Sequence, residues 1–162
     1  NKTSYSAKAY PWPVIRLADL YLMYAEALNE SGGDAPQTDV YNYVDKVRSR
    51  AGLEGVKDSW KKYSTNPAKP NTKDGMREII HRERLIELSL EGQRFWDLRR
   101  WLETAEYMNQ PVTGWDCMQK TAENYYKEQV LFLQTFTARD YLWPLSISLL
   151  NKNPNLVQSI GW

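Results

Sequence analysis

The chain has 162 residues, 42% hydrophobic and 25% charged, with a formal net charge of +1. That length suffices for one domain with a real core and is short for two, and near-neutrality removes any electrostatic drive toward nucleic acid or anionic lipid. Cys117 is the single cysteine, which excludes an intramolecular disulfide framework, and no run approaches the roughly 20 apolar residues of a membrane-spanning helix.

In chain order, the opening Asn1-Lys2-Thr3 reads as the interior of a longer precursor. Pro11 and Pro13 punctuate the start. Leu17, Leu20, Tyr21, Tyr24, Ala25 and Leu28 then recur at the spacing of one helix face, and Gly32-Gly33 supply a stop. The run Tyr21-Leu22-Met23-Tyr24 covers more than one face and is expected to meet a neighbour outside the chain. Asp34 or Thr38 can cap a second helix, whose apolar positions are Val40, Tyr43, Val44, Val47 and Ala51, ended by Gly52. Two such helices joined by a short turn predict an antiparallel hairpin of the tetratricopeptide-like kind over about residues 15–51.

Residues 54–73 are polar and rich in Pro and Asn, and read as an exposed loop carrying Trp60 and Tyr63. A third helix is expected from Thr72 or Asp74 to Gly92, turning Met76, Ile79, Ile80, Ile86 and Leu90 inward. A fourth should run from Gln93 to about Met108 and bury Phe95, Leu98, Trp101, Leu102 and Ala105. The pattern then weakens into a loop-rich tail over 109–162. It holds a short strand or helix near Val130 to Phe136, one helical turn near Ile147, and exposed aromatics Trp115, Tyr125 and Tyr126. The fold class this predicts is all-α, with long loops.

Searching for chemistry gives little. His81 is the only histidine and sits on a charged helix face, so with one cysteine no zinc set of the His/Cys type can form. No nucleophile elbow, P-loop or dinucleotide fingerprint occurs. Glu83, Glu87 and Glu91 line one stripe of the third helix. A glycosidase needs its two carboxylates on opposite sides of the bond, which one stripe cannot supply. The expectation is structural pairing with Arg82, Arg84, Arg94, Arg99 and Arg100, and Asp97 receives the same reading. No catalytic residue, cofactor or metal is expected.

Three strings carry a resemblance. The first is Ile15-Arg16-Leu17-Ala18-Asp19-Leu20-Tyr21-Leu22-Met23-Tyr24-Ala25-Glu26-Ala27 together with Val44-Asp45-Lys46-Val47-Arg48-Ser49-Arg50-Ala51-Gly52. The second, over about residues 74–108, contains Glu83-Arg84-Leu85-Ile86-Glu87-Leu88 and Glu91-Gly92-Gln93-Arg94-Phe95-Trp96-Asp97-Leu98-Arg99-Arg100-Trp101. The third is Leu142-Trp143-Pro144-Leu145 with Asn153-Pro154-Asn155-Leu156. In this order they resemble the C-terminal part of the SusD/RagB family. The tail departs from the pattern: Ser146-Ile147-Ser148 follows Pro144 where a second proline is usual, and no proline precedes Gly161.

The resemblance implies a SusD-like helical scaffold and a non-catalytic, cell-surface lipoprotein of the outer membrane. It would capture glycans or peptides for a TonB-dependent outer-membrane transporter, and touch the membrane only through a lipid anchor that Cys117 is not. The alternatives are a helical-repeat adaptor for protein or peptide and, less favoured, an all-helical glycan hydrolase. Seven Trp and eleven Tyr stand against three Phe, and these ring types suit interfaces and sugar-stacking surfaces as well as cores. Any glycan contact within the chain is expected at Trp60 and Trp115, which lie outside the periodic helix faces, whereas Trp96, Trp101 and Trp143 should be core or interface residues.

Overall fold

A hairpin of two helices opens the fold, as the matched apolar spacing predicts. The computed structural model describes Pro11 and residues 13–162, and the opening Asn1-Lys2-Thr3 lies outside them. Helix α1 (Leu17–Ser31) packs on α2 (Thr38–Arg50), and Tyr21 early in α1 meets Tyr43 and Lys46 late in α2, so the pair runs antiparallel. The end of α2 is a Schellman turn: Leu53 N–H donates to Arg48 O and Gly52 N–H to Ser49 O, with Gly52 at φ 74°.

The inward face of α1 is rotated from the expected one. Leu22, Ala25 and Asn29 are buried with Asp19 and Glu26, while Leu17, Leu20, Met23 and Tyr24 are exposed. Polar residues occupy the buried stripe, so counting apolar positions alone selects the wrong side. Val40, Tyr41, Val44 and Val47 of α2 complete this wall of the core.

Residues 54–73 are a correction, because they are not simply loop. They hold α3 (Val56–Tyr63) and a 3-10 turn, Lys69–Asn71. Val56, Trp60 and Tyr63 stand at a helical spacing too brief to catch the eye. The N-terminus of α3 is capped from a distance, with Val56 N–H donating to Asp45 Oδ1 of α2 at 2.7 Å. A Cβ on Gly55 would lie 2.8 Å from that carboxylate, so a larger residue there would push the Asp45 side chain out of its capping position.

Helix α4 (Lys73–Glu87) packs on α1 and brings Met76, Ile79 and Ile80 into the core. Thr72 is its N-cap, accepting from Gly75 N–H at 3.1 Å. A Cβ on Gly75 would overlap the Lys69 carbonyl oxygen and sit 2.8 Å from Thr72 Oγ1. Gly75→Ala should therefore lower stability by about 1–3 kcal/mol, through forced displacement of the turn. Urea denaturation checks this, and an unchanged midpoint would show that the turn yields freely.

The third helix does not reach Gly92, nor the fourth Met108. Leu90 and Gly92 adopt positive φ after α4, and both Ile86 and Leu90 are exposed. Helix α5 (Gln93–Arg100) ends at Leu102, whose φ of 60° is the left-handed conformation a glycine usually supplies. The same bond pair closes it, Glu103 N–H to Leu98 O and Leu102 N–H to Arg99 O. A short α6 (Thr104–Met108) follows, and of the expected inward residues only Leu98 is buried.

The chain divides into two compact units, Asn1–Arg94 and Phe95–Trp162. The second contains an antiparallel pair, β1 (Val112–Trp115) and β2 (Glu128–Phe132), linked through α7 (Ala122–Tyr125). The tail has a 3-10 turn, Ala138–Tyr141, closed by a Thr137–Asp140 capping box, and then α8 (Ile147–Lys152). Arg99 organises this unit. It donates to Asp140 O at 2.6 Å, and its guanidinium lies 4.9 Å from the Phe95 ring centroid and 5.8 Å from that of Tyr141. Gln158 holds the chain end by exchanging two hydrogen bonds with the Leu145 backbone.

Candidate functional site

The glutamates Glu83 and Glu87 of α4, and Glu91 just beyond it, are all engaged, though their partners are not the neighbours in sequence. Arg48 of α2 pairs with Glu83, and Arg50 pairs with Glu87 at 2.7 Å. Arg16, at the cap of α1, reaches both Glu87 at 2.9 Å and Glu91 at 2.7 Å. Arg84 turns to the other side and donates to Asp19 of α1 at 2.8 Å. Asp97 accepts from Arg100 Nε at 2.9 Å. Glu83 and Glu87 thus tie α4 to α2 and to the start of α1, whereas the Asp97 pair lies within α5, and no two of the stripe face each other across a cleft. His81 is half-buried on α4 and engaged with a neighbour.

The two candidate tryptophans lie in different units. Trp115 ends β1, opposite Glu128 of β2. Its ring meets Tyr126 edge-on at 5.0 Å and Tyr125 at 6.2 Å, and the two tyrosines meet at 5.0 Å. The cluster packs chiefly on itself: Trp115 is 56% and Tyr126 61% exposed. Such edge-to-face rings fix one another's orientation, so the patch is preformed. The neighbouring Cys117 side chain holds the Tyr125 phenol above its ordinary range. Asp116 beside it accepts from Gln119 Nε2 at 2.9 Å.

Trp60 is not on a loop. It lies on α3, half-buried against the core. It lines a groove of about 650 Å³ with Arg48, Gly52, Leu53, Glu54, Ser59, Tyr63 and Ser64. Sequence reasoning missed Arg48 and Leu53 as lining residues, and the usable signal was the helical spacing of Val56, Trp60 and Tyr63. Trp96 and Trp143, expected in core or interface, are exposed, and Trp101 is half-buried.

All 162 residues match the SusD family. The chain is 30% identical over 149 residues to SusD-like protein P38 of Formosa agariphila, a match covering 92% of this chain and 24% of that protein. Two solved structures superpose well. BT4246 is 30% identical with a TM-score of 0.75, over 92% of this chain and 23% of that one. A SusD-like carbohydrate binding protein of Bacteroides fragilis NCTC 9343, BF0978, is 31% identical with a TM-score of 0.69, over 90% and 28%. The chain spans about a quarter of the length of these relatives. Three sequence blocks in order, the helical hairpin tied by arginine–glutamate pairs, and these matches agree: the chain belongs to the SusD/RagB family.

Proposed function

We propose that the protein captures oligosaccharides at the cell surface without cleaving them, and delivers them to a TonB-dependent outer-membrane transporter, held to the membrane by a lipid anchor. The observation that carries the glycan part is the preformed, exposed ring cluster of Trp115, Tyr125 and Tyr126. A pyranose offers one C–H-rich face to such a ring and its hydroxyls to polar groups nearby, and Asp116, next to Trp115 in sequence and hydrogen-bonded to Gln119, is one such group. The similarity to a carbohydrate binding protein of B. fragilis supports the same reading. Engagement of every carboxylate of the α4 stripe by arginine weighs against the hydrolase alternative.

Calorimetric titration of the protein expressed from its complete gene, with neutral hexaoses of glucose, xylose, mannose and galactose, tests this. Trp115→Ala should weaken the best ligand about two- to ten-fold, the worth of one stacked ring. Equal affinity in the variant would remove the hairpin from the site. Transporter delivery has its own check: co-purification with a TonB-dependent transporter from solubilised outer membranes is expected, and its absence would count against that part.

A further inference from the structure

We infer that the groove between the end of α2 and α3 is a second carbohydrate subsite, seating one neutral pyranose against Trp60 and Tyr63. This rests on the glycan reading above and assigns to it a site in the other unit.

The size fits. About 650 Å³ falls within the 300–1,000 Å³ typical of small-ligand sites. The lining is also mixed in the required way, with rings and an aliphatic wall beside a few fixed polar groups. Leu53 and Tyr63 are 54% and 70% exposed, although both follow or sit on well-formed helices. Their exposure follows from the local fold: the Schellman turn carries Leu53 past the end of α2, and α3 spends Val56 and one side of Trp60 on the core. Trp60 is held from beneath by that core, and the Lys69 ammonium stands 5.5 Å from its ring centroid. A ring already fixed loses little freedom when a sugar stacks on it.

The polar part is equally preset. Arg48 donates through Nε to Glu54 O at 2.9 Å and through Nη2 to Ser59 Oγ at 2.9 Å, and its Nη1 pairs with Glu83. Each terminal nitrogen carries a second N–H, so the guanidinium can donate to a sugar hydroxyl without rearranging. Ser64 Oγ accepts from Asn66 N–H at 3.0 Å, which leaves its own proton to donate. The charges are matched internally, Arg48 by Glu83 and Glu54 by Lys62 at 2.8 Å. Nothing in the groove therefore calls for an ionic ligand, and aromatic faces edged by donors suit an uncharged pyranose.

The test uses the product of the complete gene and the same neutral hexaoses. Tyr63→Ala removes an exposed ring, and Trp60→Phe keeps an aromatic body on the core while shrinking the platform. Each should weaken binding about two- to ten-fold; Tyr63→Ala should leave the melting temperature unchanged, and Trp60→Phe, at a ring packed on the core, should lower it only slightly. Hexaose binding that is unaffected in both variants would overturn the groove assignment and leave the glycan reading standing. Failure of the unaltered protein to bind any hexaose would overturn both. Binding of an unrelated peptide mixture lost in Tyr63→Ala, with hexaose binding intact, would make the groove a peptide site and so contradict the assignment.

Discussion

Replacing Arg84 by alanine should cost about 3–5 kcal/mol of folding stability, the price of breaking a buried ion pair from one side. Arg84 is 2% exposed on α4, and its Nη1 donates to Asp19 Oδ1 of α1 at 2.8 Å. Without it, the buried Asp19 carboxylate loses its ion-pair partner. The compensated double variant Asp19→Leu with Arg84→Met removes both charges and should recover most of the loss. Urea denaturation followed by circular dichroism reads both. A loss below about 1 kcal/mol for Arg84→Ala would show that water reaches Asp19 and that the pair is not a core feature.

Leu22→Ala should cost about 2–5 kcal/mol, the range for deleting a fully buried leucine whose cavity cannot collapse. Leu22 has no exposed surface and faces the junction of α1, α2 and α4, where Val40, Val44, Met76 and Ile80 are also fully buried. Rigid helices on three sides limit relaxation, which places the expectation in the upper half of the range. The same denaturation experiment applies. A cost near that of a surface substitution, within about 0.5 kcal/mol, would mean that α1 rolls its exposed stripe inward instead.

The hairpin and the family blocks could be read from the chain because they rest on local regularities: Val40, Val44 and Val47 at helical spacing, Gly52 at a left-handed turn, and a contiguous Glu-Arg string. The boundaries that failed depend on interactions distant in sequence or on unusual residues. Helix α5 stops at Leu102, a leucine doing a glycine's conformational job, and no residue type announces that. Helix α3 begins where Asp45 reaches it from α2. The ion pairs of the α4 stripe were foreseen as pairs, but the partners Arg16, Arg48 and Arg50 come from other helices, and one chain's spacing carries no record of that. Among the candidate residues, Trp115 stands out in the sequence because it lies outside the periodic helix faces, and the structure adds the rings packed around it. Trp60 was placed on a loop, since an eight-residue helix gives only two turns of pattern.

The central claim is capture without cleavage, and equilibrium dialysis followed by chromatography addresses it directly. The protein from the complete gene is dialysed to equilibrium against the hexaose it binds best, and the retained sugar is released and sized. The account predicts saturable retention, with every recovered molecule still a hexaose. Shorter products accumulating with time and protein concentration, or no retention of any hexaose, would contradict it.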